Sequence, residues 1–212
     1  MSSHLEYMAR AISLAKQGLF TTDPNPRVGC VLVKDGQVLG EGFHRKAGEG
    51  HAEVNALAAA KHAGHDVTGA TAYVTLEPCS HFGRTPPCSD GLIKAGVSTV
   101  VCAMEDPNPE VSGNGFKKLE AAGITVISGV LEAQSRSLNP GFIKRMESGK
   151  PFVRLKMAAS LDGRTAMQSG ESQWITGPAA RSDVQKLRAR SSAVITGINS
   201  ILLDDSSLTV RA

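Results

Sequence analysis

Three separated segments carry residues whose chemistry makes sense only if the fold brings them together: His51-Ala52-Glu53, Glu77-Pro78-Cys79 and Pro86-Pro87-Cys88. One imidazole and two thiolates make a zinc set of three protein ligands, with the fourth tetrahedral position open as in catalytic sites. Any fold of this chain must therefore bring His51, Cys79 and Cys88 to one point with Glu53 beside them. Zinc lowers the pKa of a bound water to about 7, and a carboxylate two residues from a ligand can shuttle protons without binding the metal. H-x-E followed by P-C is the arrangement of zinc deaminases, in which an amino group leaves a ring carbon as ammonia. A closed structural site would need a fourth ligand, for which His81 is the obvious candidate.

Local patterns supply a frame for this convergence. Ser3-His4-Leu5-Glu6 has the form of a capping box, and Leu5, Met8, Ile12 and Ala15 repeat at helical spacing before Gly18. Residues 28–34 and 37–43 are β-rich and flank Asp35-Gly36, a hairpin signal because both turn residues tolerate positive φ. Residues 51–62 are alanine-rich and helical. Residues 72–76 and 99–103 read as buried strands around a helical stretch at 89–95, a βαβ pattern that predicts a parallel pair. A helix near 116–122 and a strand at 124–127 complete an α/β layered domain over about two-thirds of the chain. A second unit begins near Lys150-Pro151, with strands expected at 152–158 and 193–196 and a helix at 181–190.

Lys and Arg number 23 against 20 acidic residues, and only 4% of residues are aromatic. So mild a charge and so few stacking rings argue against nucleic acid as a partner. The N-terminus lacks a basic segment followed by an apolar one, and no apolar run approaches a membrane span, so a cytoplasmic protein away from membranes is expected. In that setting the four cysteines are thiols or metal ligands rather than disulfides. Cys30 and Cys102 lie inside apolar runs and are expected in the core.

Eight residues separate Cys79 from Cys88, where nucleoside and nucleic-acid deaminases have C-x-x-C. H-A-E combined with E-P-C-S-H-x-G-R-T-P-P-C closely resembles the bacterial bifunctional riboflavin-biosynthesis family. The resemblance extends through Thr22-Asp-Pro-Asn-Pro26, Val28-Gly-Cys30, Glu105-Asp-Pro-Asn-Pro109, Ser160-Leu-Asp-Gly-Arg164 and Glu171-Ser-Gln-Trp-Ile-Thr176 to the last residues. It implies a cytidine-deaminase-like three-layer α/β/α deaminase domain over residues 1–148. The start of a dihydrofolate-reductase-like α/β reductase domain, incomplete, is implied over 149–212. In that family the first domain, with one zinc, deaminates a phosphoribosylated diaminopyrimidine, and the second uses NADPH to reduce the ribosyl side chain to ribityl.

The resemblance also implies site residues. Asn25, held between two prolines, His44, His81 and Arg84 are expected to contact the substrate, the last two at its phosphate. Considered as residues alone, these are equally a rigid turn and an exposed loop. In the second unit the resemblance places NADP contacts at Ala158, Trp174, Ser200 and Asp204, and substrate contacts at Ser172, Arg188, Leu208 and Arg211. The absence of G-x-G-x-x-G is compatible with such a reductase. Ser206 stands where the family usually has Pro. Because the family's reductase continues well beyond residue 212, this chain is expected to deaminate without reducing. A homo-oligomer is the expected assembly. Two alternatives have their own requirements. A nucleoside or RNA deaminase would lack the phosphate-oriented insert and the second-domain motifs, whereas a non-enzymatic zinc module would need a fourth ligand and leave Glu53 without a role.

Overall fold

Side chains alternate across a strand, and in the central strands of this chain both sets are apolar, so the sheet has to be covered on both faces. The computed structural model describes residues 2–82, 86–109 and 111–211. Its sheet contains β1 (Gly29–Lys34), β2 (Gln37–Phe43), β3 (Thr71–Val74), β4 (Thr99–Cys102) and β5 (Thr125–Ile127), in the order β2-β1-β3-β4-β5. β1 is antiparallel to β2 and β3, while β3, β4 and β5 run parallel. Asp35 and Gly36 turn the first hairpin with φ of 51° and 76°.

Helices α2 (Ala52–His62), α3 (Cys88–Lys94) and α4 (Asn114–Ala121) cover one face. Their Ala52, Ala56, Ala60, Leu92 and Leu119 pack on Cys30, Leu32, Ala72, Val74 and Val100. Helices α1 (Ser2–Ala15) and α5 (Glu132–Leu138) cover the other, where Met8, Ala11, Ile12 and Leu138 meet Val31, Val33, Tyr73 and Val101. This is a three-layer α/β/α arrangement with Cys30 and Cys102 in its core.

The seat of α2 is unusually close. A Cβ added at Gly40 would lie 2.4 Å from the Ala56 carbonyl oxygen, and one at Gly42 2.4 Å from the Ala56 nitrogen. The two glycines, two apart on one face of β2, meet the alanine stripe of α2, so backbone rests almost on backbone. Contacts divide the chain into Met1–Phe152 and Val153–Ala212.

Three sequence expectations need correction. Helix α1 starts at Ser2, which places Ser3 inside the first turn rather than before it. Helices α5 and α6 (Pro140–Ser148) fill a stretch for which no element was expected. The second unit contains α7 (Pro178–Ala189) and α8 (Ile198–Asp204), but among its described residues there is no strand. Segments 152–158 and 193–196 form no ladder; Val153 and Leu155 are more than four-fifths exposed. Strands are stabilised by cross-strand pairs and a covered face, and apolar alternation supplies neither. Among the described residues no helix is long and apolar enough to cross a membrane.

No described residue from 153 to 211 is buried. Segments with few buried contacts open at low free energy and are cut first by proteases. Limited proteolysis followed by mass spectrometry is therefore expected to remove residues after 152 and leave the first unit intact. Simultaneous loss of both units would count against this.

Candidate active site

The sheet brings several chain segments to one end. The parallel strands β3 and β4 deliver Leu76–Cys79 and the segment 104–108 outside their carboxyl ends, where open α/β sheets hold their ligands. The antiparallel pairing of β1 puts its entrance, with Asn25, at that end, together with the exit of β2 at His44. α2 runs antiparallel to β2, since Gly42 faces Ala52 and Gly40 faces Ala60, so its N-terminus with His51 and Glu53 points the same way.

His51, Cys79 and Cys88 offer ligand atoms that all lie within 4.8 Å of one another. His51 Nδ1 is 3.3 Å from Cys88 Sγ and 3.7 Å from Cys79 Sγ. Cys88 opens α3, and its backbone N–H donates to Cys79 Sγ at 3.3 Å. Ser89 fixes the turn from the other side, donating through N and Oγ to the Cys79 carbonyl at 3.1 and 3.0 Å. The Cys88 thiol and His51 both hydrogen-bond Cys79 and hold its pKa down to about 4 despite burial. The pKa of Cys88, which keeps the shared proton, is raised by that bond and by burial. The lowered pKa of Cys79 favours the thiolate, the form that binds metal. Glu53, 4% exposed, is pushed up to about 7 by burial, within the range suited to proton transfer near neutrality. His81, the alternative fourth ligand, is exposed and stands outside the cluster.

A cavity of about 480 Å³ opens over this cluster. Asn25, His44 and His81 line it together with His51, Glu53 and Cys79; Arg84 lies outside the described residues. His44 donates through Nδ1 to the Gly50 carbonyl at 3.1 Å and accepts the Asn25 amide at Nε2, also at 3.1 Å. Burial lowers its pKa, which favours the neutral ring this relay requires.

Several lining residues were not anticipated as site residues, among them Glu77, Asp106, Asn108, Val111 and Phe142. Asp106 is 7% exposed and pushed up to about 6 by burial. The repeated Asp-Pro-Asn-Pro at 23–26 and 106–109 was the available signal, because Asn25 and Asn108 end up on the same cavity. Nothing local marked Phe142. It reaches the cavity because Asn139, before α6, pairs with the Arg27 backbone like a strand, accepting from N at 2.8 Å and donating to O at 2.9 Å.

In the second unit Ser172 and Trp174 line a separate, open depression. Trp174 is 69% exposed, with the Arg181 guanidinium 4.5 Å above its ring. Arg188 donates to the carbonyls of Ser207 and Thr209, flanking Leu208, and Arg211 N donates to Gln185. Ala158 is half-buried, whereas Ser200 and Asp204 are exposed on α8. Of these eight residues, only Ser172 and Trp174 are brought together in that depression.

A family model of the cytidine and deoxycytidylate deaminase zinc-binding region matches residues 1–104, and one of the RibD C-terminal domain matches 151–212. The chain is 61% identical over 205 residues to the riboflavin biosynthesis protein RibD of Escherichia coli (strain K12), covering 97% of this chain and 55% of that protein. Acinetobacter baumannii RibD, form 1, superposes with a TM-score of 0.93 at 58% identity, over 100% of this chain and 58% of that one. A Thermotoga maritima structure described as a diaminohydroxyphosphoribosylaminopyrimidine deaminase/5-amino-6-(5-phosphoribosylamino)uracil reductase gives a TM-score of 0.93 at 48% identity, over 98% and 59% of the two chains. The chain thus spans a little over half the length of the curated relatives it matches.

Two measurements test the cluster. Zinc analysis is expected to give one ion per chain, unchanged in His81→Ala; metal loss in that variant would make His81 a ligand. After chelation, iodoacetamide at pH 6 is expected to label Cys79, whose pKa is lowered by hydrogen bonds from Cys88 and His51, and to spare the buried Cys30 and Cys102, whose pKa values burial raises. Added zinc should block the labelling.

Proposed function

The chain belongs to the RibD family of riboflavin-biosynthesis proteins, and on that premise we propose that its first unit is a zinc-dependent deaminase acting on 2,5-diamino-6-(5-phosphoribosylamino)pyrimidin-4(3H)-one, releasing ammonia. One observation carries this reading: His51 and Cys79 of the His/Cys/Cys cluster and a buried carboxylate with its pKa near 7 face the same cavity. A soft two-thiolate, one-imidazole donor set suits zinc, with His51, Cys79 and Cys88 as its ligands. Zinc, when bound, supplies Lewis-acid activation of the attacking water.

The proton transfers fall to Glu53. Its carboxylate oxygen takes the proton lost by the water, delivers it to the ring nitrogen, and serves again as the amino group departs. A pKa near 7 leaves both the accepting and the donating form populated at neutral pH. Asn25 spends an N–H on His44, so its carbonyl oxygen is available to the amino groups of the ring. His81 and Arg84, on the loop unlike that of C-x-x-C deaminases, would take the ribose phosphate.

The chain comprises, on this reading, a deaminase domain at 1–148 and the first part of a reductase domain at 149–212. In the second, Ala158, Trp174, Ser200 and Asp204 are assigned to NADPH, and Ser172, Arg188, Leu208 and Arg211 to the deaminated substrate. The match of the RibD C-terminal domain model to residues 151–212 supports the reductase part of this division. A cytoplasmic homo-oligomer completes the reading.

Glu53→Gln is expected to keep zinc and fold while losing ammonia release by at least about 10²–10⁴-fold, because an amide cannot accept and return a proton. Near-normal release by the zinc-loaded variant would remove Glu53 from the mechanism. Hydride transfer needs a cleft shielded from water, and residues 153–211 bury nothing, so NADPH oxidation with the deaminated product is expected to be undetectable for these 212 residues. Steady NADPH turnover would refute that expectation.

A further inference from the structure

Glu77 is the most heavily bonded side chain near the cluster. It is 3% exposed and both its oxygens are occupied. Oε2 accepts the backbone N–H groups of Asp106 and Gly113 at 3.1 and 3.0 Å, and Oε1 those of Gly115 and Phe116 at 2.8 and 3.4 Å. Two donors on each oxygen use the lone pairs that a ligand would need. Although Glu77 borders the cavity, it therefore acts on the backbone it holds.

Of the held residues Asp106 lines the cavity, as do Asn108 and Val111 between it and Gly113 in sequence; Gly113 caps α4, whose first turn contains Gly115 and Phe116. The segment lies beyond residue 104, where the match to the zinc-binding region ends. Its seat is tight: a Cβ at Gly115 would stand 2.1 Å from the Pro78 carbonyl oxygen and 2.9 Å from Glu77 Oε1. Glu77 itself immediately precedes Pro78-Cys79, and its N–H donates to the Met104 carbonyl at 3.0 Å.

We infer that Glu77 is a positioning residue that ties Asp106 and the start of α4, and with them the lining residues Asn108 and Val111, to the Cys79 turn, and so sets how the cavity holds the pyrimidine substrate rather than how protons move. The inference rests on the deaminase reading above for its substrate. None of the metal ligands, and not Glu53, lies on the segment Glu77 holds, so displacing that segment should weaken binding and spare the chemistry.

Glu77→Gln tests this, since its NH₂ group would face two N–H donors where an oxygen now accepts them. With zinc unchanged at one per chain, KM for the phosphoribosyl substrate should rise about tenfold or more while kcat per zinc falls less than about threefold. A residue that only stabilises the fold gives the opposite split, an apparent kcat that drops with the folded fraction at constant KM, and that result overturns the inference. Gly115→Ala wedges the same seam from the other side and should share the KM signature; it replaces Glu77→Gln if that variant does not fold. Hydrogen exchange on the zinc-loaded wild type examines the clamp without substrate: the amides of Asp106, Gly113 and Gly115 should be protected. Exchange as fast as for unbonded surface amides overturns the inference. A wild type that releases no ammonia refutes the functional reading, and exchange then decides the clamp alone.

Discussion

The close seat of α2 on β2 is the contact on which the rest of the site depends. His51 immediately precedes that helix and Glu53 lies in its first turn, so the height of the helix above the sheet sets the position of both. Gly42 and Gly40 allow a separation that no side chain could share. Zinc–nitrogen and zinc–sulfur bonds are about 2.0–2.3 Å long, so raising α2 by even one ångström would carry the imidazole out of range of an ion held by the two sulfurs. The small-residue stripe thus belongs to the chemistry as much as to the core.

Three buried carboxyls near the cavity are treated differently. Glu77 accepts four backbone N–H donors on its two oxygens and so holds backbone in place. Glu53 and Asp106 are buried with less compensation, and desolvation raises both, to about 7 and about 6. A buried carboxyl is thereby a fastener at Glu77 and a proton-exchanging group at Glu53. What separates the roles is the number of donors the fold aims at each oxygen.

The need for residues 51, 79 and 88 to meet could be read directly, because thiols and an imidazole flanked by Pro and Glu have a narrow range of chemical uses. The hairpin at Asp35-Gly36 and the parallel pair β3 and β4 were equally legible, since turn conformation and strand crossover obey local or topological rules. What escaped was set by long-range packing. Helices α5 and α6 are short and their buried positions few, Leu138 and Ser135 on the first and Ile143 on the second, so periodicity had little to show. Phe142 enters the cavity only through the pairing of Asn139 with Arg27, 112 residues away in sequence. The alternation at 152–158 misled for the converse reason, being a strand pattern with no neighbour among the described residues.

That pairing of Asn139 with Arg27 also has a consequence for the order of events on the ribosome. The metal ligands have all been synthesised by residue 88, when β1, β2, β3 and α2 are available to bring them together. Asp106, Val111, Asn139 and Phe142 emerge later, and only then can the loop carrying Asn25 be tied and the cavity walled. A domain folds as a unit, so this site is completed only once residue 142 has left the ribosome, although its ligands are all made by residue 88.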